Sequence, residues 1–253
     1  MKRLFTLPLS LLLIALLLLL GVMSLIWNFI ALGLYPLLPR EHGLALGRAG
    51  ITYGYRLFWA IASACGVLKL DARALDALRD EPGLIFVANH PSLLDALMLV
   101  ARLPKSACIM KAGLMHNPFL GAGARLARYI RNDSPHGMIR LAVQDLQRGG
   151  QLVLFPEGTR TTHRPVNPFR PGVTLIAKLA AAPIQTVFID TESPYLGKGW
   201  PIWRLPPLPI RFSVRLGERF APQDDTHALL ARLEACFAAG ARPSPSASPT
   251  ASA

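Results

Sequence analysis

The chain has few cysteines and lacks several common catalytic motifs. Only three of its 253 residues are cysteine, and Cys65, Cys108 and Cys236 are widely separated in apolar surroundings. This spacing provides neither a disulfide framework nor a zinc pattern, so we expect reduced thiols in a domain that faces the cytoplasm, and no metal. The absence of a Gly-x-Ser-x-Gly motif argues against an α/β-hydrolase. The absence of a complete Gly-x-Gly-x-x-Gly fingerprint argues against a dinucleotide cofactor.

Residues 4–39 carry no charged side chain. This leucine-rich stretch is longer than the roughly 18 residues that cross a bilayer, whereas the apolar core of a signal peptide has only about 7–15. We therefore expect residues 1–40 to be retained as a membrane anchor. Because helix-interrupting residues occur in its second half, the sequence is compatible with a spanning helix plus a re-entrant piece, a hairpin, or one long tilted helix. The interrupting residues are Gly21, Asn28, Gly33 and Pro36.

Negative charge is scarce in the chain as a whole. The 27 lysines and arginines outnumber the 15 aspartates and glutamates, and the formal net charge is +12. Such an excess favours an anionic partner, either nucleic acid or an anionic membrane surface. Because the anchor already implies a membrane, we expect an anionic phospholipid membrane as the partner and no nucleic acid. The expected location is the inner (cytoplasmic) membrane, with the soluble domain facing the cytoplasm.

Downstream of the anchor, short apolar runs alternate with helical patterns, which is typical of an α/β fold. We predict one domain over residues 41–240, followed by a disordered tail at 241–253 that is rich in proline, serine and alanine. The first predicted helix fits either the membrane interface or the soluble domain. The predicted strands are 84–88, 107–110, 151–155, 184–189 and 210–216. The predicted helices are 44–66, 92–103, 137–147, 172–181 and 227–239.

A histidine and an aspartate stand five positions apart where a predicted strand turns into a helix. The strand 84–88 delivers Asn89 and His90 to its carboxyl end, and Pro91 suits the first turn of the helix that follows. If His90 lies in the turn before that helix, it can fold back onto Asp95 and act as a general base whose tautomer the carboxylate fixes. From spacing alone, a helix-capping Asn-His pair with a solvent-facing aspartate is the alternative.

A second polar segment follows directly on the strand 151–155, with the sequence Phe155-Pro156-Glu157-Gly158-Thr159-Arg160. Ligands in α/β sheets gather in the crevice at the carboxyl ends of the strands. The Arg160 guanidinium can hold a phosphate with two hydrogen bonds, and the amides of Gly158 and Thr159 can join it. The alternative is a turn that an internal pair between Glu157 and Arg160 closes.

Together, the two motifs resemble those of the glycerolipid acyltransferase family, which includes 1-acylglycerol-3-phosphate acyltransferases. The resemblance runs from about Gly83 to Val187. It implies a mixed, mostly parallel sheet flanked by helices, as in glycerol-phosphate acyltransferases, with an N-terminal membrane helix or helical hairpin. Further positions that follow the family pattern are Lys111, Leu114, Pro118, Phe119, Gly121, the segment Phe169-Arg170-Pro171-Gly172 and Ala182-Pro183-Ile184.

The resemblance also implies roles for individual residues. His90 would be the general base and Asp95 its orienting partner. The reaction would move a fatty acyl group from acyl-CoA or acyl-carrier protein to the free hydroxyl of a lysophospholipid, most directly 1-acyl-glycerol-3-phosphate, giving phosphatidate. Apart from this thioester co-substrate no cofactor is expected. The implied substrate-binding residues are Asn89, Lys111, Arg128, Arg131, Glu157, Gly158, Thr159 and Arg160.

The chain departs from the family pattern in one place. The family's second motif usually carries an arginine at the end of an apolar run, whereas Asn132 stands there in this chain. Arg128 or Arg131 is the expected substitute. Two alternatives therefore stay open: an acyltransferase for a different lyso-lipid acceptor, and a membrane-anchored lipid-binding protein without turnover.

Overall fold

The computed structural model describes residues 2–162, 165–201 and 204–240, with side chains from residue 8 onward. The tail predicted to be disordered, 241–253, lies outside these ranges. The helices are α1 (Lys2–Leu34), α2 (Arg40–Ala64), α3 (Asp95–Val100), α4 (Gly121–Leu126), α5 (Pro135–Gln147), α6 (Gly172–Ala180) and α7 (Thr226–Gly240). The strands are β1 (Leu68–Asp71), β2 (Ile85–Ala88), β3 (Ser106–Met110), β4 (Ile130–Arg131), β5 (Gln151–Leu154), β6 (Ile184–Thr191) and β7 (Ile210–Phe220).

The seven strands form one mixed sheet in the order β1-β7-β6-β2-β5-β3-β4. The five strands from β6 to β4 are parallel, whereas β7 is antiparallel to β6 and β1 is parallel to β7. Strand β2 is therefore central, and its carboxyl end opens directly onto Asn89 and His90. This arrangement confirms the predicted mixed, mostly parallel sheet.

Helices cover both faces of the sheet, because its central strands are apolar on both sides. In β2, Phe86 and Ala88 belong to the buried cluster that also contains side chains of α1, α2 and α3. The alternate residues Ile85 and Val87 belong to the opposite cluster, which contains side chains of α5, α6 and α7. The central strand is consequently held from both faces, which gives the residues at its end a rigid base.

The N-terminal helix runs without a break through Gly21, Asn28 and Gly33, so the alternative in which these residues interrupt it was wrong. Long-range contacts explain this, because the Asn28 Oδ1 accepts a hydrogen bond of 2.6 Å from the Ala122 amide of α4. Trp27 lies against α2 and α4, where a Cβ on Gly50 would lie only 2.1 Å from its ring. Helix α1 ends at Leu34, before Pro36, and α2 then packs back along it.

The boundary predicted after residue 40 falls near the connection between α1 and α2, but it does not separate two packing units. Leu13 and Leu16 of α1 are buried in the same cluster as Phe58 and Ala62 of α2. Helix α1 remains long and apolar enough to cross a membrane by length and composition. The two N-terminal helices and the sheet therefore form one packed body.

Several short elements differ from the sequence prediction. The helix predicted at 92–103 is reduced to Asp95–Val100, and β1, α4 and β4 had not been predicted. Strand β4 has two residues, too few for a periodic pattern. The late start of α3 matters most for the site, because it leaves residues 89–94 as a turn in which His90 can approach Asp95.

Candidate active site

The predicted pair of His90 and Asp95 is in direct contact. The His90 Nδ1 lies 2.8 Å from the Asp95 Oδ2, and the same oxygen accepts a 2.7 Å hydrogen bond from the Ser92 amide. Asp95 is fully buried, whereas the His90 side chain keeps 18% of its surface exposed. With Nδ1 held by the carboxylate, Nε2 is the ring nitrogen left for a substrate, which is the arrangement a general base requires.

Burial makes Asp95 a weaker acid than usual. Loss of solvation is the largest cause and raises its pKa to about 6, although the hydrogen bond from His90 acts in the opposite direction. The second carboxylate oxygen, Oδ1, is buried and has no hydrogen-bond partner among the described residues. The pKa of Asp95 therefore lies closer to neutral pH than that of an ordinary carboxylate. Both of its hydrogen bonds are made by the oxygen that faces His90.

The ring of His90 is fixed by an aromatic neighbour. It stacks on Phe155 with a centroid separation of 4.1 Å and an angle of 20° between the rings. Phe155 directly follows β5, which pairs with β2, so the sheet itself brings the two rings together. The stack fixes the plane of the imidazole while the hydrogen bond to Asp95 fixes its rotation within that plane.

Glu157 joins the two motif loops to each other. Its Oε1 accepts hydrogen bonds from the His90 amide at 3.1 Å and from the Thr161 hydroxyl at 2.6 Å. Its Oε2 accepts a 2.9 Å bond from the Asn167 amide. The side chain is buried, and both oxygens are used inside the protein. The geometry thus gives Glu157 a positioning role rather than the predicted contact with a substrate.

Asn89 is engaged in the same way. Its Nδ2 donates to the Ile189 carbonyl at 2.9 Å, and its Oδ1 accepts from the Ile189 amide at 2.7 Å. These bonds extend the pairing of β2 with β6 by one residue beyond the end of the strand. Asn89 was predicted to bind substrate, but its amide is occupied in holding the backbone just before His90.

The glycine of the second motif is required by packing. Gly158 has φ of +66°, and a Cβ there would lie 2.4 Å from the Nε of Arg170. The Gly158 amide donates to the Phe155 carbonyl at 3.0 Å, so it is not free for the phosphate contact predicted for it. Thr159 is half-buried beside it.

Two arginines flank this glycine. The Arg160 Nη1 donates to the carbonyls of Leu196 and Gly197 at 2.7 and 2.9 Å, which orients the guanidinium and leaves Nε and Nη2 for a ligand. Arg170 is exposed, and its guanidinium makes no hydrogen bond or ion pair with the described residues. The sequence prediction placed Arg170 in a family segment but not in the site. Its contact with Gly158 depends on the fold, and the sequence offered no signal for it.

The remaining predicted binding residues lie near β3 and β4, at the edge of the sheet away from β6. Lys111 follows β3 and is exposed, and Arg131 of β4 forms an exposed ion pair of 3.1 Å with Asp133. Arg128 turns towards the N-terminal helices, where its guanidinium lies 5.1 Å from the centre of the Tyr35 ring and Nη1 donates to the Tyr35 hydroxyl at 3.2 Å. Arg128 and Arg131 are therefore engaged with Tyr35 and Asp133, respectively.

Asn132 is bonded to the backbone at the end of β3. Its Oδ1 accepts a 3.2 Å hydrogen bond from the Ala112 amide, and its own backbone amide donates to the Met110 carbonyl at 3.1 Å. The residue that replaces the family's arginine therefore ties the ends of β3 and β4 together. The described residues contain no group of three or more His, Cys, Asp or Glu side chains placed to hold a metal ion.

Comparison with known proteins relates part of this chain to a family. The family model described as Acyltransferase matches residues 69–190, which contain both motifs. Residues 69–190 are therefore similar to the acyltransferase family. The histidine and aspartate predicted to be catalytic lie within the matched residues, as do all the predicted binding residues.

Curated relatives of the chain carry two different acceptor names. A lyso-ornithine lipid O-acyltransferase of Pseudomonas aeruginosa is 31% identical over 55% of this chain and 58% of its own length. A 1-acyl-sn-glycerol-3-phosphate acyltransferase of the same organism is 24% identical over 72% of both chains. The Escherichia coli enzyme with that second name is 29% identical over 56% of this chain and 60% of its own. The chain thus spans less than two thirds of the first and third relatives.

A solved structure supports the fold. The 1-acyl-sn-glycerophosphate (LPA) acyltransferase PlsC from Thermotoga maritima superposes with a TM-score of 0.65 over 95% of this chain and 96% of that chain. At 20% sequence identity this likeness establishes a shared fold, and not a shared substrate.

Proposed function

We propose that the chain is a membrane-bound O-acyltransferase that moves a fatty acyl group from an acyl thioester to the free hydroxyl of a lysophospholipid, with 1-acyl-glycerol-3-phosphate as the preferred acceptor. The observation that carries this proposal is the 2.8 Å contact between His90 and the buried Asp95. Among the described residues, no serine, threonine or cysteine side chain hydrogen-bonds the His90 ring. The nucleophile is therefore assigned to the acceptor.

In the proposed reaction, the Nε2 of His90 takes the proton of the acceptor hydroxyl as its oxygen attacks the thioester carbonyl carbon. The carbon–sulfur bond then breaks, and the imidazolium returns the proton to the leaving thiolate. Asp95 holds Nδ1–H throughout and stabilises the imidazolium. General-base assistance contributes on the order of 10²–10⁴ in rate, so correct placement of the two substrates has to supply much of the remaining acceleration.

Two arginines support an anionic acceptor. Arg160 is oriented by two backbone carbonyls, and the Arg170 guanidinium lies across Gly158 without a partner among the described residues. Both follow β5, beside the strand that carries His90. We assign the acceptor phosphate to this pair, because a guanidinium can bind a phosphate with two parallel hydrogen bonds.

The N-terminal helix supports attachment to a membrane. Its outward-facing side chains recur every three or four residues and form one apolar stripe. They are Leu11, Ile14, Leu18, Val22, Ile26 and Phe29, with exposed fractions of 45–66%. The opposite side packs on the domain from Leu13 to Ala31, roughly 27 Å along the axis. We assign the stripe to lipid contact at the inner membrane, with the domain on the cytoplasmic side.

A second acceptor is favoured by one specific observation. The arginine usual in the second motif is Asn132, Arg131 pairs with Asp133, and Arg128 contacts Tyr35 instead of the site. This region therefore provides fewer free cations than the family pattern implies. A lyso-lipid with a less anionic head group, as in the name of the Pseudomonas aeruginosa relative, is the alternative acceptor.

An acceptor panel tests the proposal. The purified full chain in mixed micelles is given acyl-CoA with lysophosphatidate, lyso-ornithine lipid or lysophosphatidylethanolamine, while thiol release is followed and products are identified by mass spectrometry. We expect release that depends on the acceptor and is fastest with lysophosphatidate. Arg160→Ala should raise the acceptor KM by about tenfold, the loss of one phosphate contact. Arg148→Ala, an exposed change on the far end of α5, is the control.

Each outcome has a defined meaning. Preference for lyso-ornithine lipid would replace the preferred acceptor with the alternative. Absence of thiol release with every donor and every acceptor would favour a lipid-binding protein and overturn the proposal. An unchanged acceptor KM in Arg160→Ala would show that Arg160 does not bind the acceptor phosphate.

A further inference from the structure

A short segment after β6, residues 195–197, lies directly against the turn that carries His90. Tyr195 and Leu196 are buried, with 0% and 4% of their surfaces exposed, and both belong to the core cluster that also contains side chains of β2. Gly197 follows them, and a Cβ there would lie 3.4 Å from the Pro91 carbonyl oxygen. Because the two side chains pack in the core, this bridge contacts the site through its backbone.

One carbonyl of the bridge is shared by the two parts of the site. The Leu196 oxygen accepts a 3.0 Å hydrogen bond from the Leu93 amide, in the turn between His90 and Asp95. The same oxygen accepts a 2.7 Å bond from the Nη1 of Arg160. A single peptide group therefore stands between the turn of the general base and the guanidinium assigned to the acceptor phosphate.

The neighbouring carbonyls strengthen both connections. The Tyr195 oxygen accepts a 3.1 Å bond from the hydroxyl of Ser92, whose own amide donates to Asp95 at 2.7 Å. The Gly197 oxygen accepts a 2.9 Å bond from the Nη1 of Arg160. Three consecutive residues are thus bonded to the catalytic turn on one side and to the arginine on the other.

Leu196 has an unusual backbone conformation. Its φ is +56°, in the left-handed region that costs a residue with a Cβ about 1–2 kcal/mol. The other non-glycine residues with a positive φ in the described chain are Arg128 and Ala181, and each lies at the end of a helix, where this conformation is common. Leu196 ends no helix. Such strain persists only where the surrounding structure enforces it, and it is concentrated at functional sites.

The bridge orients Arg160 without neutralising it. Arg160 forms no ion pair within the ranges that the structure describes, and both partners of its Nη1 are neutral carbonyl groups. A carboxylate in the same place would hold the guanidinium but would also compete with an anionic acceptor. The full positive charge therefore remains for a phosphate, on a side chain whose anchor is also bonded to the turn of His90.

We propose that Leu196 is a positioning residue that couples acceptor binding to the general base, because its left-handed backbone holds one carbonyl between Arg160 and the turn of His90. The proposal rests on the phosphate role proposed above for Arg160. A phosphate bound by this guanidinium is held in a fixed position relative to the His90 imidazole, and the acceptor hydroxyl is positioned with it. A change in the conformation of Leu196 therefore alters acceptor binding and the turn of His90 together.

A first pair of variants changes the conformation of the bridge without replacing His90, Asp95 or Arg160. Leu196→Ile nearly keeps the volume of the side chain but branches it at Cβ, which strongly disfavours a positive φ. Leu196→Met also nearly keeps the volume and is unbranched at Cβ, so it is the matched control. The difference between the two variants therefore reports on the backbone and not on core packing.

A second pair acts at the glycines of the same loop. A Cβ at Gly197 would lie 2.9 Å from the Pro194 carbonyl oxygen and 3.4 Å from that of Pro91, so Gly197→Ala forces the bridge to shift. Gly199→Ala is its control, because Gly199 has a φ of +82° but nothing within 4 Å of an added Cβ. The control variant therefore loses stability through its backbone without contacting the turn, and thermal unfolding establishes that each of the four variants folds.

Hydrogen exchange at the Leu93 amide tests the shared carbonyl without any turnover. The Leu93 side chain is 51% exposed, so protection of its amide depends on the bond to Leu196. Exchange on the full chain in detergent is followed by mass spectrometry of peptides that overlap at Leu93. We expect exchange at least about tenfold faster in Leu196→Ile and Gly197→Ala than in the wild type, and nearly unchanged in the two controls. Equal exchange in the wild type and both bridge variants, or equally fast exchange in the controls, would overturn the proposal.

Kinetics with lysophosphatidate and acyl-CoA then test the coupling. Leu196→Ile and Gly197→Ala should raise the acceptor KM by about tenfold and also lower kcat, whereas a smaller folded fraction would lower kcat alone. In an Arg160→Ala background the same changes should lower kcat without a further rise in the acceptor KM, because the bridge acts on binding through Arg160.

The two experiments fail in different ways. Additive increases in the acceptor KM, or an unchanged KM in both bridge variants, would contradict the coupling. Absence of thiol release by the wild type with every donor and every acceptor would instead contradict the proposed function, and the exchange at Leu93 would still decide whether the Leu196 carbonyl holds the turn.

Discussion

Replacement of Asp95 by asparagine should separate stability from activity, because the folded chain holds this carboxylate at a cost. Burial raises the pKa of Asp95 from about 4 in an unfolded chain to about 6. The folded state therefore binds a proton more tightly than the unfolded state. As pH rises from about 4 to about 6, the free energy of unfolding decreases by about 3 kcal/mol. Above about pH 6 it stays at that lower level.

The Asp95→Asn variant removes that cost and introduces another. The Asp95 Oδ2 accepts both hydrogen bonds, from His90 and Ser92, and an asparagine Oδ1 in that position can do the same. The asparagine Nδ2 would then occupy the place of the buried, unpartnered Oδ1, and an unsatisfied donor costs about 1–3 kcal/mol. We expect the variant to be between about 0 and 2 kcal/mol more stable than the wild type at about pH 7.5.

Activity should respond in the opposite direction. A neutral amide keeps the tautomer of His90 but supplies no charge to the imidazolium, so we expect acyl transfer to fall by at least about 100-fold. The assay pairs thiol release with thermal unfolding in the same detergent at about pH 4.5 and about pH 7.5, on either side of the Asp95 titration. A variant several kcal/mol less stable that retains most of its activity would refute the reasoning, because it would make Asp95 a packing residue.

Three further predictions follow from individual contacts. Activity of the wild type should decline as pH falls through about 6, where Asp95 takes up a proton, and a rate that stays constant to about pH 4.5 would contradict this. Gly158→Ala should lower the free energy of unfolding by about 1–2 kcal/mol, because residue 158 has a positive φ. Adding Arg170→Ala to that variant should restore only the part of the loss that comes from the clash between the new Cβ and Arg170, and thermal unfolding measures both changes. Arg48→Met breaks a buried pair with Asp145 and should lower the free energy of unfolding by about 3–5 kcal/mol; a loss below about 1 kcal/mol would be inconsistent with that role.

The parts of the fold that the sequence predicted are those with strong local periodicity. Strands β2, β3, β5, β6 and β7 are apolar runs between turn residues, and their positions were predicted to within a few residues. The apolar runs alone did not predict the direction of each strand, because an apolar pattern is the same whichever way a strand runs. The antiparallel direction of β7 depends on the tertiary fold.

In the site, too, the sequence predicted local contacts but not those that depend on the tertiary fold. The contact between His90 and Asp95 was predictable because only a turn separates them. Whether a polar side chain faces a ligand or the protein was not, since Glu157 and Asn89 have the chemistry of ligand-binding residues yet bond to the backbone around His90. Arg170 belongs to neither of the two motifs, and only its packing on Gly158 brings it to the site.

A single-turnover experiment with His90→Ala tests most directly whether the acyl group moves from the thioester to the acceptor in one step, with His90 as the general base. The full chain is mixed with radiolabelled acyl-CoA and lysophosphatidate, quenched, and separated into lipid and protein fractions. We predict label in phosphatidate for the wild type, none bound to protein, and product formation slowed on the order of 100-fold or more in a His90→Ala variant that still unfolds cooperatively. Label on the protein before it reaches the lipid, or a His90→Ala rate close to that of the wild type, would contradict the account.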